Sequence, residues 1–122
     1  MRKQLHTLLI HGSSTVNEHG DYTSVGGAYF EPNDNRNISV RIAQEGSTRD
    51  SGILTALLLG LRAIPAYAEA KILTARPDLI KALTINLEDG EALDWLNTND
   101  GHLLHPILSE LRNRCAPTKL QQ

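Results

Sequence analysis

Apolar and polar positions alternate through the first third of the chain and then recur at helical spacing, so the sequence divides into a run of strands followed by helices around one more strand. Leu5 to Ile10 reads as a first strand, ended by Gly12-Ser13-Ser14. Asn17-Glu18-His19-Gly20-Asp21 is a turn by composition, rich in residues that tolerate unusual backbone angles. Tyr22 to Phe30 is a second strand, with Gly26-Gly27 inside it marking a bulge or a close backbone approach. After the turn Glu31-Pro32-Asn33-Asp34-Asn35, the alternation of Ile38, Val40 and Ile42 with Ser39 and Arg41 marks a third strand with one buried face.

Ile53, Leu54, Leu57, Leu58, Leu61 and Ile64 then form the broad apolar face of a helix, with Ser47, Thr48 or Asp50 as its cap and Pro65 as its stop. Ala70 to Thr74 is a short fourth strand. Because a helix precedes it, a right-handed crossover sets it parallel to the first. Pro77 opens a helix through Leu83, and Glu88 to Gly101 reads as a polar loop packed locally around Ala92, Leu93, Trp95 and Leu96. His102 to Arg114 is a final helix whose Pro106 shifts the true start later, and Ala116 to Leu120 begins a fifth strand.

The 122 residues suit one domain, 1–122, with 40% apolar and 21% charged side chains. Twelve basic and 14 acidic residues leave a formal charge of −2, which supplies no overall field for phosphate backbones. Binding to nucleic acid would need a local patch from scattered cations such as Arg36 with Arg41, Arg76 with Lys81, or Arg112 with Arg114. Cys115 is the single cysteine, which excludes an internal disulfide and a CxxC zinc cluster and fits a reducing, intracellular setting in cytoplasm or nucleus. No run approaches the roughly 20 apolar residues of a membrane helix, and Leu8-Leu9-Ile10 is too short for a signal-peptide core.

Several segments together resemble ribonuclease H domains. Leu9 to Phe30, with Gly12-Ser13 and Gly26-Gly27-Ala28, is similar to the family's opening hairpin. Thr48 to Ile64 looks like its first helix, and Ile72-Leu73-Thr74-Ala75-Arg76-Pro77-Asp78-Leu79-Ile80 like the strand and helix that follow. Tyr29 to Val40 particularly resembles ribonuclease H domains of fungal mobile elements, which points to a retrotransposon-derived chain. The resemblance implies an α/β fold: a mixed five-stranded sheet with strands 1–3 antiparallel and strands 4 and 5 parallel to the first, flanked by helices. The family's C-terminal helix is expected to be absent.

The family's metal-binding acids are missing from this pattern. Where the resemblance implies an aspartate after the first strand, a glutamate in the first helical turn and an aspartate after the fourth strand, the chain carries His11, Ile53 and Ala75. Such acids hold two divalent ions about 3.5–4 Å apart, and magnesium wants oxygen ligands. The expectation is an inactive enzyme without a metal or other cofactor, which serves as a protein-interaction or dimerisation module and forms a homo-oligomer or joins a larger protein. Its motive is the expected absence of the family's last helix, which helps cover the sheet and would leave apolar surface for a second chain or another domain.

The alternative is a domain that binds RNA, DNA or their hybrid without cleaving it. By resemblance its contacts fall on Ser13, Ser14, Asn17, Thr48, Arg49 and Arg76. Residual nuclease activity would need Asp21, Asp50 or Asp78 as replacement ligands, and none falls on a matching position. His11 is expected to fill the former metal pocket rather than to join Glu18, His19, Asp21 or Asp50 in a transition-metal site. His102 and His105, three residues apart, read as surface or capping residues because no third ligand accompanies them. Ser13 and Ser14 beside His11 lack the orienting acid and oxyanion site of a nucleophile, Trp95 reads as a local packing centre, and Cys115 as a partly buried thiol.

Overall fold

A computed structural model describes residues 5–43, 47–89 and 101–122. Its elements are β1 (Leu5–Val16), β2 (Tyr22–Tyr29), β3 (Ile38–Ile42), α1 (Ser51–Arg62), β4 (Glu69–Thr74), α2 (Pro77–Asp89), α3 (Gly101–Arg112) and β5 (Thr118–Gln121). The strands form one sheet in the order β3-β2-β1-β4-β5. β1, β2 and β3 are antiparallel, and β4 and β5 run parallel to β1.

Strand alternation decides which side of this sheet is covered. Leu8 and Ile10 of β1, Ala28 of β2 and Ala70 and Ile72 of β4 point to one side, where they form a single core with all three helices. α1 contributes Ile53, Leu54, Ala56, Leu57, Leu58 and Leu61; α2 contributes Leu79 and Leu83; α3 contributes Leu104, Ile107, Leu108 and Leu111. The opposite side carries Leu9, His11, Tyr29, Lys71 and Leu73 with no described helix over it.

α1 approaches β2 closely because neither partner has a side chain at the crossing. A Cβ on Gly26 would collide with the carbonyl group of Gly52, and one on Gly52 would lie 2.7 Å from the Val25 backbone nitrogen. Ser24 closes the same junction from full burial: its hydroxyl donates to the Arg49 carbonyl at 2.8 Å and accepts from the Gly52 N–H at 2.7 Å. Gly26 of the double glycine is thus a close approach between a strand and a helix.

Several sequence boundaries move. β1 continues past Gly12-Ser13-Ser14 to Val16, since those residues pair with Gly26, Val25 and Ser24 of β2. α2 runs on through Asp89, where a loop from Glu88 was expected, and α3 starts at Gly101 with Pro106 inside it. The buried Leu104, Ile107 and Leu108 hold α3 across that proline despite the backbone bond it removes. Ala92, Leu93, Trp95 and Leu96 lie outside the described residues.

The junction predicts two stability changes. Ser24→Ala leaves the Gly52 N–H and Arg49 carbonyl without their shared partner and should cost about 1–3 kcal/mol. Gly26→Ala forces backbone apart and should cost about 3 kcal/mol, the upper end of the usual range for overpacking. Urea unfolding with unchanged slope would read both as shifts in midpoint.

Candidate functional site

At the end of the sheet where β1 and β4 deliver their last residues to the start of α1, a cleft of about 370 Å³ is lined by Gly12, Ser13, Ser14, Arg49, Asp50, Ile53, Arg76 and Asp78. Its floor is apolar. The Ile53 Cβ lies 2.8 Å from where a Cβ on Gly12 would stand, so isoleucine packs directly on the β1 backbone.

Above that floor sits a guanidinium clamped by two carboxylates. Arg76 donates through Nη1 and Nη2 to the Asp50 oxygens at 2.9 and 3.3 Å, and through Nε and Nη2 to the Asp78 oxygens at 2.9 and 2.8 Å. Both pairs are forked, the geometry in which arginine binds carboxylates best. The Arg76 charge holds the Asp78 carboxyl down at about 2, and the two carboxylates raise the Arg76 pKa. Arg76 is itself oriented by β4, its N–H donating to the buried Thr74 hydroxyl at 3.2 Å.

Asp50 occupies the N-cap position of α1 but makes no side-chain capping bond, because its carboxylate is turned to Arg76. The turn before the helix is held instead by Ser51, whose hydroxyl accepts from the Thr48 N–H at 2.8 Å. Of the nucleic-acid candidates, Ser13, Ser14, Arg49 and Arg76 meet in the cleft. Thr48 stands beside it, bonded to Ser51. Asn17 does not join them; its carboxamide oxygen accepts from the N–H groups of His19 and Asp21 and holds the β1–β2 turn.

His11 does not fill the cleft. Its ring lies over Gly27 on the side of the sheet without described helices, where a Cβ on Gly27 would overlap it. Strand alternation explains this, since Leu8 and Ile10 take the helix side and residue 11 must take the other. Ala75 is exposed after β4. Among the described residues, no three histidine, cysteine, aspartate or glutamate side chains are grouped to hold a metal. The oxygens of Asp50 and Asp78 are engaged by Arg76, and Ile53 and Ala75 offer none, so the cleft's donor set does not fit a pair of magnesium ions. His105 and Cys115 are exposed, and the His102 side chain is outside what is described.

A second arrangement, invisible as a motif, lies at the opposite end of β1. Arg36 is held by Asp34 at 2.8 Å, covers the Phe30 ring at 4.0 Å from its centroid, and approaches His6 Nδ1 at 2.8 Å. Arginine can only donate, so Nδ1 accepts and the imidazole proton sits on Nε2, which is buried without a partner. Burial first, and the Arg36 charge second, lower the His6 pKa.

With this architecture the protein is a ribonuclease H-like fold: a mixed sheet ordered β3-β2-β1-β4-β5 with flanking helices. Among solved structures it is similar to "Structure of the foamy viral protease-reverse transcriptase in complex with dsDNA", with a TM-score of 0.73 over 96% of this chain and 80% of that one, at 11% identity. That likeness is one of fold. No protein-family model and no curated protein matches the sequence. No helix among the described residues is long and apolar enough to cross a membrane.

Two acid-sensitive losses of stability follow. The folded His6 pKa lies below its ordinary 6.5, so on acidification the unfolded chain takes up that proton first, and stability falls as pH drops through about 6.5. Asp78 is held at about 2 against an ordinary 3.8, so its contribution is present above about 3.8 and lost as pH falls toward 2. Urea midpoints measured across pH should show both declines; His6→Gln removes the upper one, and Asp78→Asn shrinks the lower, which Asp34, also held at about 2, shares.

Proposed function

We propose that this chain is a catalytically silent ribonuclease H-like domain that works by binding another protein chain. The cleft residues support the silent half of this reading: a metal-dependent nuclease needs carboxylates to hold its ions, and here a protein cation has taken the two nearest ones. The observation that carries the binding half is an exposed apolar pair in the middle of the sheet. Leu9 and Tyr29 are cross-strand partners, 43% and 39% exposed, on the side without a described helix. Leu73 adjoins Leu9 from β4 and extends the strip. Exposed apolar patches of this kind mark association surfaces. The fungal mobile-element resemblance of Tyr29 to Val40 suggests the source of the domain, and the exposed thiol of Cys115 suits a reducing compartment inside a cell.

The second reading, binding of nucleic acid without cleavage, is favoured by one residue. Arg49 stands at the cleft mouth beside Ser13 and Ser14 with its side chain 66% exposed. Against it, the cleft's two arginines face two aspartates, which leaves no net positive charge for phosphates.

A labelled RNA/DNA hybrid tests these readings together. Incubated with the protein in magnesium or manganese, it should stay intact, and its anisotropy should remain flat up to high micromolar protein at moderate salt. Cleavage products would overturn catalytic silence, and saturable, salt-sensitive binding lost in Arg49→Ala would move the function to the second reading. If Leu9 and Tyr29 form a surface and not a core, Leu9→Lys and Tyr29→Lys should each change stability by no more than about 0.5 kcal/mol, read by urea unfolding.

A further inference from the structure

The same face carries a charge pattern that specifies its partner further. Strand register places Lys71 of β4 directly beside Lys119 of β5. Like charges at directly neighbouring cross-strand positions are destabilising. Neither lysine makes an ion pair with a described residue. Both instead line a hollow of about 310 Å³ at the edge of the face, together with Glu69. Arg41 of β3 adds a third cation on this side, since it pairs with Val25 in the same alternation, and Glu69 is the one carboxylate among the face's strand residues. Among the described strand residues of this face, three cations stand against one anion, although the chain as a whole is at −2.

The two features lie in adjacent rows. Tyr29, Leu9 and Leu73 line up across β2, β1 and β4, a strip spanning roughly 10 Å at the usual strand spacing. Lys71 and Lys119 belong to the next row, about 7 Å further along the strands. We propose that this face receives an amphipathic helical segment of another protein, with its apolar side chains on Leu9, Tyr29 and Leu73 and its carboxylates between Lys71 and Lys119. The proposal rests on the binding reading above and names the chemistry of the partner.

Charge complementarity selects this occupant over a second copy of the chain. Two copies meeting through this face would bring the Lys71–Lys119 pairs of two positive surfaces together. Neighbouring helical side chains three or four positions apart stand about 5–6 Å from one another, and the reach of a glutamate side chain covers the remainder of the roughly 7 Å between the apolar row and the lysine row. A carboxylate seated between Lys71 and Lys119 would relieve the repulsion that the register builds in.

Two synthetic helical peptides with one shared leucine stripe, flanked by glutamates in one and by lysines in the other, supply the test. Titrated into the full chain and followed by amide NMR shifts, the glutamate peptide should bind at least about fivefold more tightly at low salt, move signals of β1, β4 and β5, and lose that advantage at high salt. Lys71→Glu with Lys119→Glu, checked for an unchanged melting temperature, should reverse the preference. Equal affinity for both peptides would overturn the acidic partner and leave the apolar binding face standing. Absence of binding by either, in a chain that stays monomeric by sedimentation, would overturn both. Self-association lost in Leu9→Lys would replace the acidic partner with a second copy, and shifts of the same signals by the RNA/DNA hybrid would replace it with nucleic acid.

Discussion

The approach of α1 to β2 at Gly26 and Gly52, tied by the buried Ser24 hydroxyl, is the constraint on which the rest of the structure depends. It sets the start of α1 at backbone contact with the sheet, so that Ile53 lands on Gly12 and Asp50 lies within reach of the residues leaving β4. Any side chain at the crossing would lift the helix away and open the apolar core beneath it. One serine satisfies both a helix-end N–H and the carbonyl of the preceding turn, which is why a fully buried hydroxyl is tolerated there.

That same placement brings Asp50 and Asp78 to one point, and their mutual repulsion demands a counter-charge. Arg76 supplies it from the first residues after β4. The clamp joins the start of α1 to the start of α2, so ion pairs between protein side chains tie this end of the sheet together. Asp78, in the first turn of α2, also lies where a helix favours negative charge. Two interactions therefore favour its ionised form, and the bond to Arg76 is the larger in lowering its pKa.

Much of this was legible in the residues. The third strand, the apolar face of α1 and the tail strand lie close to where the pattern put them, although Ile38, expected on a buried face, is exposed and Val40 and Ile42 are only half-buried. The polar stretch Gly12 to Val16 gave no strand signal, because what makes it a strand is its pairing with β2 and not its own burial. The orientation of His11 was available from alternation with Leu8 and Ile10, but the resemblance drew it toward the cleft. The Asp50–Arg76 pair joins residues 26 positions apart, and no local rule predicts it. Asp50 reads as an ordinary cap until the fold brings Arg76 beside it.

The cleft and the helix-free side of the sheet differ in electrostatic character, the first balanced and the second positive among its described strand residues, and this difference bears on the functional readings. At the cleft, every cation has a carboxylate neighbour, so a phosphate arriving there would have to compete with ion pairs already made. On the helix-free side, Lys71 and Lys119 stand together beside an apolar strip, and a ligand offering both carboxylates and apolar side chains gains from each. A nucleic-acid backbone satisfies only the first of these demands and would leave Leu9 and Tyr29 against a polar partner. An acidic amphipathic protein segment would satisfy both, and this complementarity is what supports the proposed protein partner over nucleic acid.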